Sequence, residues 1–192
     1  MISNIAEQMD KNIKLKATKE KSLQRFHPWI FSGAIKTTSP GLKDGDVVTV
    51  LNNKERILGK AHYTKGSIAG RMLAFDFVEI DQSFWDNRIT AAYELRKNMG
   101  LINNPETNIF RLVNAEGDHL PGLIIDFYNG TAIVQCHSIG MHRAIDFICE
   151  ALRNTTEGLV KSIYDKSTES LPSEYAETVS NQYLHGEESA VM

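Results

Sequence analysis

Between Phe75 and Asp81 the spacing of apolar residues in this chain changes from two to between three and four. A strand turns alternate residues to one face, a helix every third or fourth, so the two halves must build different kinds of layer. That excludes an all-helical bundle and an all-β sandwich. It points to an α+β fold, with a strand-only region first and a helix-on-sheet region after it.

In the first region, NIKLKATKEKS sets Ile13, Leu15 and Ala17 against Lys14 and Lys16, as a half-exposed strand does. A short helix is expected from about Glu20, and Pro28 breaks the pattern. SPGLKDGD marks turns before the β-branched run VVTVL. ERILGKAHYT and SIAGRMLAF are each strand-length, and KGS between them reads as a hairpin turn. So many short strands within the segment ending at Phe75 imply a small β pseudo-barrel.

In the second region, DQSFWDNRITAAYELRKNMG places Trp85, Ile89, Ala92, Leu95 and Met99 on one helical face, with Asp81 or Ser83 as cap and Gly100 as stop. IFRLVNA, LIIDFY and TAIVQCH read as strands, the last two joined by Asn129-Gly130, a type I′ hairpin signal. SIGMHRAIDFICEALRN reads as a second helix capped by Ser138, and VKSIYDK as a further strand. Beyond Lys166 the sequence is acidic, rich in Ser and Glu, and weakly periodic, which predicts a polar tail or linker. The expected organisation is therefore 1–75, a basic β domain; 76–166, a small domain with helices packed on a sheet; and 167–192, the tail.

Charge is divided along the same line. The net value is −3, yet residues through Phe75 hold 13 Lys and Arg against 6 Asp and Glu, and the remainder holds 8 against 18. A basic module attracts phosphates at short range whatever an acidic neighbour carries. Two cysteines without a CxxC spacing suggest neither a disulfide framework nor a zinc knuckle. No apolar run approaches the roughly 20 residues of a bilayer span, so a cytoplasmic protein with no membrane partner is expected.

Within the basic region, RFHPWIFSGAI crowds Arg25, His27 and Trp29 around Pro28. A cation, an imidazole and an indole are costly to bury together and useful against an anionic partner that carries bases. Lys19, Lys21, Arg25 and Lys36 would meet phosphates, and His27 and Trp29 would stack on bases. Trp29 has a second reading as a core anchor. Lys60 and His62, at alternate positions of one strand, would extend a basic groove with Lys65 and Arg71, or be ordinary solvated charges. Glu116, Asp118 and Asp126, with His119 beside them, suggest paired carboxylates; the composition NAEGDHLPG equally suits a turn-rich loop. His137 and His142 are five apart, not the four that puts two ligands on one helical face, and no metal site is expected.

RFHPWIFSGAI, GRMLAF and RLVNAEGDHLPGLIIDFYNG together resemble the first two domains of the RlmI-type S-adenosyl-L-methionine (SAM)-dependent ribosomal RNA methyltransferases. The resemblance covers most of residues 12–166. It implies a PUA domain, a small RNA-binding pseudo-barrel, at 1–75, a central α+β domain after it, and ribosomal RNA as the partner. It also implies a Rossmann-type domain that methylates C5 of cytosine, and a loop at Arg111, Glu116, Asp118 and His119 that docks that domain or guides RNA.

Where the chain departs from the family pattern, it lacks the catalytic half. A SAM site needs a glycine-rich strand-to-helix turn, and no GxG occurs here. There is no Pro-Pro loop for the target base, and Cys136 and Cys149 sit in apolar patterns unsuited to attack on C6. No catalytic or SAM-binding residue is assigned. The expectation is an RNA-recognition portion that binds RNA without methylating it, with a further domain beyond Met192. A freestanding PUA-type binding module and a small hydrolase using Glu116 and Asp118 are the rival readings. Edge strands in the central domain would let a homodimer form.

Overall fold

The alternating segment forms β1 (Asn12–Leu15), β2 (Trp29–Phe31), β3 (Ile35–Thr38), β4 (Val47–Leu51), β5 (Ile57–Tyr63) and β6 (Ile68–Ala74). The computed structural model describes residues 11–187. The six strands make one sheet in the order β2-β6-β5-β4-β1-β3, the half-barrel of a PUA-like fold. β1 runs parallel to β4 and antiparallel to β3, so the first strand lies between two later ones. Ile13, Leu15, Ile30, Val48, Val50, Ala61 and Met72 turn to a common core. The helix expected near Glu20 is instead two 3-10 turns, Lys19–Lys21 and Leu23–Arg25. Only Leu23 among these residues is buried, too little apolar surface to hold an α-helical stripe.

The chain divides into two compact units after Glu79 rather than after Phe75. Phe77 belongs to the first unit, its ring centroid 4.8 Å from the Lys60 ammonium.

The second unit contains α1 (Gln82–Asn98), β7 (Ile109–Asn114), β8 (Leu123–Tyr128), β9 (Thr131–Cys136), α2 (Ile139–Arg143), α3 (Ile145–Thr155), β10 (Ser162–Asp165), α4 (Ser173–Ala176) and β11 (Gln182–His185). Asp81 caps α1 by accepting from the Phe84 N–H at 3.0 Å. Asn129 and Gly130 both take positive φ, +44° and +98°, as a type I′ turn between β8 and β9 demands. The sheet order is β11-β10-β9-β8-β7. β9 and β10 are parallel, and α2 and α3 make the crossover between them. α1 packs against α3 and β7.

Three expectations change here. The second helix breaks at Ala144 (φ −93°, ψ 9°) into α2 and α3. On α1 the buried residues are Trp85, Ile89, Ala92, Tyr93 and Arg96, while Leu95 and Met99 are exposed. The stretch after Lys166 is not a polar tail through its described length: α4 packs there and β11 pairs antiparallel with β10. Its polar residues are used in hydrogen bonds, as where the side-chain oxygen Oδ1 of Asn181 accepts from both the N–H and the hydroxyl of Thr168. That is why it carries no apolar period.

Candidate nucleic-acid interface

β2 is short because of what brackets it. The Leu23–Arg25 turn ends at Phe26 in the left-handed region, φ +59°, and the Phe26 N–H donates to the Leu23 carbonyl. The Pro28 carbonyl accepts from the Met72 N–H at 2.8 Å, and His27 Nδ1 accepts from the Trp29 N–H at 3.1 Å. Alternation then sends Ile30, 3% exposed, into the core and turns Trp29 and Phe31 to the opposite face. This settles Trp29. The core anchor is Ile30, and the half-buried indole stands outside it.

On that outer face His27, Trp29 and Phe31 form one aromatic cluster. The His27 and Trp29 centroids are 6.0 Å apart at 83°, those of Trp29 and Phe31 6.5 Å apart at 84°. Phe31 is 51% exposed and Phe26, edge-on to Phe75, is 70% exposed. Trp29 and Phe31 line a groove of about 310 Å³ together with Leu15, Lys19, Leu23 and Ile30. Large rings left in water beside a groove are an unusual expense for a monomeric surface. Lys19, Lys21, Arg25 and Lys36 are exposed, and none forms a salt bridge among the described residues. Lys11 and Lys14, by contrast, are paired with Asp46 and Glu55.

Lys60 and His62 do not join this face as a groove. They are 4% and 3% exposed on the central strand β5. The Lys60 ammonium donates to Thr49 Oγ1 at 3.0 Å, and burial pushes its pKa down against the opposing pull of Glu79. Arg71 is half-buried and lies opposite both Trp29 and His62 in the sheet. Lys65 is exposed, at the hairpin turn. Replacement of Lys60 by Met is expected to leave stability undiminished in urea unfolding, since a buried charge exchanged for a similar apolar shape is neutral or favourable. A loss above about 1 kcal/mol would show that the buried ammonium is needed where it stands.

The loop of the second unit is built around its carboxylates rather than presenting them. Asp118 receives Nη1 and Nη2 of Arg96 at 2.6 and 2.7 Å, with both side chains nearly inaccessible to solvent. Arg96 Nε also donates to the Arg111 carbonyl at 3.0 Å. The Arg111 side chain forks onto Asp126 across β7 and β8 at 2.9 and 3.1 Å, which raises its pKa. Both aspartates are therefore committed to arginines, and the paired-carboxylate chemistry has no free partner there. Glu116 is half-buried; His119, at φ +57°, is exposed, as is His137.

A second polar cluster looks catalytic only in composition. The Ser167 hydroxyl donates to Asp165, and Asp165 Oδ2 lies 3.1 Å from His142 Nε2, whose other ring nitrogen meets the Tyr175 hydroxyl at 3.2 Å. The carboxylate sits in the middle, so the serine has no base. The cluster instead ties α2, β10 and α4 together. Burial raises the thiol of Cys136 to about 12 and raises that of half-buried Cys149, so neither is a ready thiolate. The strand-to-helix turn after β9 is Cys136-His137-Ser138, with Ser138 capping α2, and offers SAM no glycine cradle. No group of three metal-ligating side chains occurs among the described residues, and none of their helices is long and apolar enough to cross a membrane.

Residues 13–75 match the PUA-like domain family. Over 163 residues, 83% of its length, the chain is 39% identical to ribosomal RNA large subunit methyltransferase I of Pseudoalteromonas translucida, covering 40% of that protein. Over 146 residues it is 36% identical to the protein of the same name from Alteromonas mediterranea, covering 36% of it. The chain thus spans about 40% of the length of the curated relatives it matches. Among solved structures, a putative SAM-dependent methyltransferase from Streptococcus mutans superposes with a TM-score of 0.74 at 22% identity, over 93% of this chain and 44% of that one. A putative methyltransferase crystallised with SAH gives the same TM-score at 20% identity, over 93% of this chain and 43% of that one.

Proposed function

We propose that this chain, a relative of the RlmI-type ribosomal RNA methyltransferases with a PUA-like first domain, is the RNA-recognition portion of such an enzyme and works in the cytoplasm. In this reading the basic β2 face holds large-subunit ribosomal RNA, and the parent enzyme methylates C5 of a cytosine with SAM. The methyl-transfer site belongs to a part of the relatives that this chain does not span, a Rossmann-type domain. The observation that carries the reading is the outer face of β2, where three rings cluster and Trp29 and Phe31 share a groove with Lys19. Lys21 and Arg25 are exposed in the 3-10 turns just before it and form no salt bridge among the described residues. Cations fix a phosphate backbone, and exposed rings stack on unpaired bases, a combination that suits single-stranded RNA.

The two roles separate by salt. Each phosphate contact on a single strand contributes about 0.7 to the slope of log affinity against log salt, so Lys21→Ala with Arg25→Ala should flatten that slope by about 1.4. Trp29→Ala should instead weaken binding at every salt concentration by about 1–3 kcal/mol with the slope unchanged. Filter binding with a ribosomal RNA fragment measures both; an unaltered slope in the double variant removes this face as the contact. Labelled SAM incubated with the 192-residue chain and RNA should transfer no methyl group, and turnover would overthrow the division of labour.

A further inference from the structure

At one end of the second sheet, three connections meet around a cavity of about 260 Å³: the segment after α1, the β8–β9 turn and the segment before β10. Backbone hydrogen bonds join them. The Asn129 N–H donates to the Asn108 carbonyl at 2.9 Å, and the Gly130 carbonyl accepts from Lys161 at 2.7 Å and Ser162 at 3.2 Å. The cavity is therefore set by the sheet and not by loop motion.

Its lining sets two rings beside exposed polar groups that are not used within the protein. The Phe110 and Phe127 rings lie 5.0 Å apart at 34°, Phe127 buried and Phe110 half-buried. Around them the carboxamides of Asn103, Asn108 and Asn129 form no hydrogen bond, and Lys161 no salt bridge, among the described residues. Lys161 is the single charged residue of the lining, which holds no carboxylate. Its methylenes run along Gly130.

Each group matches one part of a nucleotide. Carboxamides donate and accept at once, as base edges require; a partly open phenyl ring offers a stacking face; one ammonium serves one phosphate. Asn103, Asn108, Asn129 and Lys161 are exposed at the edge of the cavity; a purely apolar ligand would use none of them, and a bare anion would use only the lysine. We propose that this cavity binds a single ribonucleotide, its base against Phe110 and the asparagines and its phosphate at Lys161. It is a contact on the second unit, separate from the β2 face of the first. The volume is close to the lower end of the ~300–1,000 Å³ typical of ligand clefts, which fits one nucleotide unit rather than a longer ligand.

The test uses the whole chain, labelled with nitrogen-15 and carrying Lys21→Ala and Arg25→Ala so that the first unit's proposed contact is weakened independently. Ribonucleoside 5′-monophosphates, the nucleosides and inorganic phosphate are titrated separately. Saturable amide shifts confined to 101–110, 127–130 and 158–161 are expected with the monophosphates. Lys161→Gln should weaken monophosphate binding about tenfold, the loss of one charge-assisted hydrogen bond, and leave nucleoside binding unchanged. Asn108→Ala should weaken both, and its own amide spectrum reports whether it folds. The proposal is overturned by the absence of saturable shifts at millimolar nucleotide, by shifts confined to residues 19–31, or by equal binding of inorganic phosphate. None of these results bears on the salt slope that tests the β2 face.

Discussion

Replacing Asp118 by Ala is expected to lower the unfolding free energy of the second unit by about 3–5 kcal/mol, the cost of leaving one member of a buried ion pair uncompensated. The guanidinium of Arg96 is held by Asp118 on two nitrogens, and by the Arg111 carbonyl on the third, in a site nearly closed to water. The Asn114 N–H also donates to the same carboxylate, so the aspartate fastens both ends of its own turn while reaching across to α1. Without it a full positive charge remains buried on α1 beside β7, and the turn loses its closure. Urea unfolding followed by tyrosine and tryptophan fluorescence measures the loss. Changing Arg96 to Met together with Asp118 to Leu should recover most of it, because the buried charges leave as a pair. A cost below about 1 kcal/mol for Asp118→Ala would place the pair with exposed bridges and return this loop to a contact role.

Gly59→Ala should be at least as damaging to the first unit. Gly59 sits in β5 at φ +142°, and a β-carbon there would fall 2.0 Å from the Ala74 carbonyl oxygen and 2.8 Å from the Met72 methyl. A methyl can swing away; a carbonyl in the neighbouring strand moves only if β5 and β6 part. The strands meet irregularly at this point, with the register shifting between Lys60 and Ala61, and the absent side chain is what permits the close approach. A loss exceeding about 4 kcal/mol is expected, among the largest of single substitutions. Amide spectra should show the first unit unfolded and the signals of 80–187 retained. A folded first unit with an intact β5–β6 pairing would refute the close approach.

These two positions also show how far the residue string could be read. Period and turn chemistry exposed the change of layer near Phe75 and the Asn129-Gly130 hairpin, since both are local. Arg96 was invisible for the opposite reason. A helix stripe is found by its apolar members, and a buried arginine earns its place only through a carboxylate 22 positions away. Counting Leu95 and Met99 as core was the direct result, for they extend the apolar spacing but face water. Lys60 and His62 fail similarly: alternation gave them a common face but could not say that the face is covered. Alternation around Ile30 puts Trp29 on the opposite face once β2 is known to start at Trp29, which Pro28 alone does not fix. β11 went unseen because it is short and mostly polar, and pairs with β10 through its backbone. Cutting the chain at Lys166 would therefore leave β10 as an unpaired edge prone to self-association.

The insertion of β1 between β3 and β4 constrains the order in which the molecule can be assembled. As the chain leaves the ribosome, residues 12–15 emerge before anything they will pair with, and their parallel neighbour at Thr49–Leu51 arrives much later. Hairpins at the carboxyl side can close as they are made, but the leading strand must wait or be threaded in afterwards. The rate of maturation of this half should therefore follow how long that amino-terminal segment is kept from sticking elsewhere.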